Sequence, residues 1–188
     1  MCSKRGRLQK LKIVKPLVDR VMPITAQEDP EDEEEDSPSR VALRVLNVLS
    51  TSFPPQQVFP VVIAHVLQYM QNSDPMFRKG AMLSLAIVLF TALYELDEEV
   101  ARYHEKLMPM IFSMTSDSNP TIVKYATNAL DCILESMGDA SLAYLPQLME
   151  RLVALLESGP TEVKPIALSA IGSAAHSSGE AFAPYFNE

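Results

Sequence analysis

Ala81, Met82, Leu83, Ser84 and Leu85 form the stretch that decides the fold, because its spacing returns at three other places in the chain. A small residue stands first, and two further helix-packing residues follow three and four positions later. The other copies are Ala42/Val45/Leu46, Ala126/Ala129/Leu130 and Ala167/Ala170/Ile171. Residues three and four apart share one face of a helix, so each copy marks a buried stripe on a short helix. The copies stand 39, 45 and 41 residues apart.

A period of about 40 residues points to two-helix HEAT or armadillo units, since tetratricopeptide and ankyrin repeats run shorter, at roughly 33–34. The chain therefore reads as an all-α HEAT-repeat superhelical solenoid of stacked antiparallel helix pairs, each a helix A, a turn and a helix B. Prolines mark the A helices, expected over 57–70 with Pro60, 98–115 with Pro109 and 141–157 with Pro146, and again from Phe182-Ala183-Pro184. Proline is well tolerated in a first turn. Pro109 lies deeper and predicts a kink or a later helix start.

The turns are marked as regularly. Asn72-Ser73-Asp74-Pro75, Asp117-Ser118-Asn119-Pro120 and Ser158-Gly159-Pro160-Thr161 combine capping residues with proline. An apolar residue and a cation follow each turn: Phe77-Arg78, Val123-Lys124 and Val163-Lys164. B helices are then predicted over 76–94, 121–136 and 162–177, with Gly138 and Gly179 at the positions of C-terminal caps. The first unit is degenerate, with an A helix expected over 8–25, a B helix over 38–50 and an acidic insertion at 28–36 between them. The expected units are 1–53, 54–96, 97–138, 139–178 and a truncated start at 179–188. The chain is expected to be a segment of a longer superhelix, or an incomplete product.

Charge is distributed unevenly. Glu28, Asp29, Glu31, Asp32, Glu33, Glu34, Glu35 and Asp36 account for the whole net charge of −8, and the first twenty residues are basic. Duplex nucleic acid is disfavoured as a partner, because its affinity rests on basic contacts to phosphate. The longest mostly apolar run, 81–93, is 13 residues, short of the roughly 20 that a membrane span needs. Cys2 and Cys132 form no spaced pair, so neither a disulfide framework nor a zinc site is implied. His65, His104 and His176 fall in separate units without metal-ligand spacing, and no glycine-rich phosphate loop exists. Cys132 sits in a B-helix pattern as a small apolar residue. No catalytic residue, metal or cofactor is expected, and the chain is not expected to be an enzyme.

Pro75-Met76-Phe77-Arg78-Lys79-Gly80 followed by an apolar B helix, the acidic run ending in Ser37-Pro38-Ser39-Arg40-Val41-Ala42, and the Pro54-Pro55 connector occur here in order. Together they resemble a middle segment of the importin-β (karyopherin-β) receptors, nearest the importin-four type, over about residues 15–188. That resemblance implies a protein that shuttles between cytoplasm and nucleus through the nuclear pore. Its B helices would line a cargo surface for basic proteins of histone or ribosomal type, and its A helices would engage phenylalanine–glycine nucleoporins. The GTPase Ran would act through the full-length receptor.

Two readings stand for each charged feature. The acidic run is either a solvated loop or an electrostatic trap for Lys/Arg-rich cargo, in competition with the basic N-terminus. Asn128, Asp131 and Glu135, spaced i, i+3, i+7, are either the wet side of an amphipathic helix or a second cargo contact. Phe59, Ile63, Leu67, Met110 and Ile111 read as core. Arg78, Lys79 and Lys124 read as turn caps or partners of nearby carboxylates. The alternative function is a HEAT scaffold for complex assembly that binds a folded partner along its turn ridge. A further one is association of the fragment through its exposed ends.

Overall fold

A computed structural model describes residues 12–28, 37–91 and 97–187. Eight α-helices are present among the described residues: α1 (Val14–Thr25), α2 (Pro38–Ser52), α3 (Pro55–Tyr69), α4 (Pro75–Thr91), α5 (Asp97–Met114), α6 (Pro120–Met137), α7 (Leu145–Ser158) and α8 (Lys164–Ser178). Two 3-10 segments, Gly138–Ala143 and Gly179–Asn187, follow α6 and α8, and no strand occurs among the described residues. The helices belong to two compact units that divide between residues 95 and 96.

In the first unit, α1 packs on α2, α3 and α4, while α4 also packs on α2 and α3. Met22, Leu46, Phe59, Ile63, Met82, Leu85 and Leu89 are fully buried there. The surroundings of Gly80 explain why the Arg78-Lys79 pair in α4 must be followed by a small residue. A Cβ at that position would lie 2.9 Å from the Thr25 carbonyl oxygen, so the end of α1 leaves no room for one. In the second unit, α6 packs on α5 and α8, and α8 packs on α7, over a core that includes Leu107, Met108, Ile111, Phe112 and Leu130.

Local sequence sets the helix ends. Ser37 caps α2 by accepting from the Arg40 amide at 3.3 Å, with Pro38 in the first turn. Ser37 is itself buried. Before α6 the Asn119 carboxamide accepts from the Thr121 amide at 2.9 Å, and the Asp117 carboxylate accepts from the Asn119 amide at 2.9 Å. The turn before α4 repeats this pattern: Asn72 accepts from the Asp74 amide and Asp74 from the Met76 amide. Gly138 and Gly179 take φ near +50°, where a side chain would be strained, and so turn the chain out of α6 and α8.

Several expected boundaries move. The A helix expected from 141 begins at Leu145, because Ser141 closes a 3-10 turn onto the Gly138 carbonyl at 2.7 Å and Pro146 takes the first helical turn. The B helix expected from 162 begins at Lys164, since 160–163 is a turn closed by the Val163 amide on the Pro160 carbonyl at 2.9 Å. Pro109 does not delay α5, which starts at Asp97 and carries the proline inside. Pro184 lies in a 3-10 segment and does not open an α-helix. The helix expected over 8–25 is described from Val14, and residues 8–11 of it lie outside the described residues.

Candidate functional site

The second unit holds the polar stripe that the spacing places on α6. Asn128 and Asp131 are half-buried and Glu135 is exposed. The Asp131 carboxylate accepts a hydrogen bond of 2.7 Å from the Ser173 hydroxyl on α8. Two further bonds tie the same neighbourhood together: the Lys124 ammonium to Glu162 at 3.2 Å, and the Ser141 hydroxyl to Ser177 at 3.3 Å. Serine is neutral, so this bond brings no positive charge to Asp131. No lysine or arginine among the described residues pairs with Asp131 or Glu135.

Two carboxylates at i, i+4 repel one another by roughly 0.2–0.5 kcal/mol on a helix surface. Their field is felt between them. Burial, and then the charges of Asp131 and Glu135, push the Cys132 thiol from 9.0 up to about 11. A thiol so protonated is no nucleophile at neutral pH.

Of the acidic run, Glu28 is exposed just beyond α1. Asp29, Glu31, Asp32, Glu33, Glu34, Glu35 and Asp36 lie outside the described residues. Of the turn cations, Lys124 reaches Glu162 and Arg78 is held locally. The Arg78 guanidinium donates to the Asn72 and Ser73 carbonyls at 3.0 and 2.9 Å, and so seals the turn before α4. Phe59, Ile63 and Ile111 are fully buried, as core residues should be, whereas Leu67 and Met110 are only partly covered.

Two of the histidines link segments that are distant in sequence. His65 Nε2 meets Asp19 Oδ1 at 2.9 Å, and Asp19 also takes the Lys15 ammonium at 2.6 Å. These hydrogen bonds, Lys15 first, hold the Asp19 carboxyl below its usual range. His104 Nδ1 lies 2.9 Å from the Tyr144 hydroxyl. Burial, then the charge of Glu105, raises the Tyr144 phenol. His176 is exposed on α8. No group of three metal-ligating side chains occurs among the described residues.

Two grooves lie in the second unit, and sequence periodicity indicates neither. One, about 350 Å³, runs between α7 and the 179–187 segment and is lined by Pro146, Met149, Val153, Ala154 and Tyr185, together with Glu150 and Glu157. The other, also about 350 Å³, lies between the turns at 115–120 and 158–160, over Val123 and Leu155. Arg151 on its wall donates to the Ser116 hydroxyl. Both are formed by residues some 35–40 positions apart, which only inter-repeat stacking brings together.

Comparison with known proteins gives a consistent picture. Residues 66–188 match the family model for importin subunit beta-1-like TPR repeats. The probable importin subunit beta-4 of Schizosaccharomyces pombe is 32% identical over 97% of this chain and 21% of its own length. Mouse importin-4 is 26% identical over 84% of this chain and 16% of its own length. The chain thus spans about a fifth of these relatives. Among solved structures, Kap121p bound to RanGTP superposes with a TM-score of 0.72 at 16% identity, over 92% of this chain and 18% of that one. Kap121p bound to the SUMO protease Ulp1p gives 0.63 at 18%, over 92% and 22%. At such identities the likeness shows the fold, the stacked helix pairs of a HEAT-repeat solenoid.

Proposed function

This chain belongs to the importin-β family, and on that premise we propose that it is the part of a nuclear import receptor that holds basic protein cargo. The observation that carries the proposal is the pair Asp131 and Glu135. Both are carboxylates on the B helix α6, close enough to repel, and neither is neutralised by a cation among the described residues. A lysine or arginine side chain laid across them relieves that repulsion. Asn128, one turn earlier, adds a carboxamide for the cargo backbone.

The acidic run Glu28 to Asp36 is the second cargo contact in this reading. Eight carboxylates within nine positions act together on an approaching cation cluster of histone or ribosomal-protein type. The apolar groove along α7, with Met149, Val153 and Tyr185, suits the aromatic side chain of a phenylalanine–glycine nucleoporin. Kap121p has been solved with RanGTP, and Ran would act here through the longer receptor, in transit between cytoplasm and nucleus.

The test is the anisotropy of a fluorescent, lysine-rich histone-tail peptide titrated with this chain across a salt series. Asp131→Asn with Glu135→Gln should weaken binding about three- to tenfold, since each exposed pair contributes up to about 1 kcal/mol. Neutralising the 28–36 carboxylates should flatten the salt dependence. Binding that neither change alters would overturn the reading. The scaffold alternative has its own observation, the groove between the turns at 115–120 and 158–160. It expects a folded partner whose affinity ignores both sets of carboxylates.

A further inference from the structure

Arg151 differs from Lys124 and Arg102 in what it holds. Those two pair with carboxylates, of Glu162 and Glu99 respectively. The Arg151 guanidinium donates to the Ser116 hydroxyl, and no carboxylate among the described residues takes it. A guanidinium carries a full charge and five N–H donors in a planar fork. A neutral hydroxyl occupies one donor and leaves the charge uncompensated.

The two residues meet across a repeat junction. Ser116 is exposed in the turn after α5, where its amide donates to the Ser113 carbonyl at 3.2 Å. Arg151 is half-buried in the middle of α7. Since α5 packs on α6, and α7 on α8, their bond links two stacked helix pairs. The groove of about 350 Å³ between the turns opens beside it, with Ser118 and Ser158 also in its lining. An acceptor larger than a hydroxyl has space there and meets a cation already in place. Asp117, the carboxylate in the same lining, accepts the Asn119 amide at 2.9 Å before α6.

We propose that Ser116 is a phosphorylation site whose phosphoryl group is received by Arg151. A protein kinase transfers the terminal phosphoryl group of ATP: the Ser116 oxygen forms the new P–O bond, the bond to the departing ADP breaks, and the hydroxyl proton goes to the kinase's base. The side chain gains a charge of about −1.5 to −2 and three strong acceptor oxygens. A guanidinium fork takes two such oxygens at once. Asp117 repels the new charge from the side, and Arg151 offsets that repulsion by direct contact. The neutral bond that joins the end of α5 to α7 thereby becomes a charge-assisted clamp on the repeat junction. The clamp depends neither on cargo nor on the carboxylates of α6.

Two measurements test it. Trypsin releases Ser116 in one peptide, 107–124, and fragmentation of that peptide from protein purified out of its own cells should place phosphate on Ser116. Phosphate found only on a neighbouring hydroxyl, or none in growing and in stressed cells, overturns the assignment. The whole chain with phosphoserine genetically encoded at 116 then reports on Arg151 through a ³¹P NMR titration. The second ionisation of the phosphate should fall from about 6 to about 5 beside the guanidinium. It should return to about 6 in Arg151→Gln, and Arg151→Lys should recover part of the fall. Circular dichroism of each variant shows whether it is folded, and unfolding the phosphorylated chain itself in urea should abolish the fall. An ionisation that neither Arg151→Gln nor urea moves overturns the clamp.

Discussion

Helices α4 and α6 are built on one plan and present opposite chemistries. Both follow an Asn/Asp turn closed by proline, and both bury the same motif, Ala81/Ser84/Leu85 in one and Ala126/Ala129/Leu130 in the other. Their outward positions differ. Leu83, Ala86 and Phe90 of α4 stand 45 residues before Asn128, Asp131 and Glu135 of α6. Phe90 is 69% exposed, where α6 offers a carboxylate. Burial constrains the motif positions, because a lost methylene in a close-packed core is costly. The outward positions bear no such cost. Fold and surface chemistry are therefore written in different letters of the same helix, and an apolar face in one unit does not predict the face of the next.

The largest effect that separates the two units comes from glycine. In the first, Gly80→Ala drives a Cβ against the Thr25 carbonyl at 2.9 Å, and backbone cannot easily yield. Overpacking of this kind should cost about 1–3 kcal/mol, offset in part by the better helix propensity of alanine. In the second, Gly172 sits inside α8 with nothing within 4 Å of an added Cβ. Gly172→Ala should stabilise by about 0.5–1 kcal/mol. Urea unfolding followed by circular dichroism reads both. Equal signs for the two substitutions would mean that α1 does not approach α4 as closely as the structure has it.

The turns give the next effect in size. Asn119→Ala removes the acceptor for the Thr121 amide and should cost about 1 kcal/mol, as lost caps do. Asp74→Ala removes the matching bond to Met76, but there Arg78 still grips the Asn72 and Ser73 carbonyls. Its cost should be about half as large, and Arg78→Met should bring the two turns level. The same urea melts decide it.

What the sequence made legible follows the same division. Periodicity and turn residues locate α2 to α6 to within about two residues, apart from the expected end of α4 at 94, which lies outside the described residues, because caps and buried stripes act over a single turn of helix. The starts of α7 and α8 slip by two to four residues, because Ser141 and Val163 close local turns that compete with the helix. The stripe Asn128, Asp131 and Glu135 is readable from spacing alone. Its partner Ser173 is not, nor are the pairing of His65 with Asp19 and the groove along α7. Each joins residues tens of positions apart, and the register of stacked repeats that brings them together is set by packing and not by local pattern.

The smallest effect probes the carboxylate field itself. Cys132 occupies in α6 the position that Ile87 holds in α4, 45 residues earlier. Burial and the charges of Asp131 and Glu135 lift its thiol from 9.0 to about 11. The neutral thiol is what the fold favours, so the associated stability is fully present below pH 9 and is lost as pH rises toward 11. At pH 8, alkylation by iodoacetamide in a Cys2→Ser background should run roughly a hundredfold slower than for a free thiol, in proportion to the thiolate present. Asp131→Asn removes the carboxylate that acts more strongly on the thiol, and Glu135→Gln the one that acts less, so alkylation should quicken in both and more in the first. Burial remains in either variant, so neither should reach the free-thiol rate. If the rates do not move, the field between these carboxylates is screened by solvent, and the cationic partner proposed for them loses its main attraction.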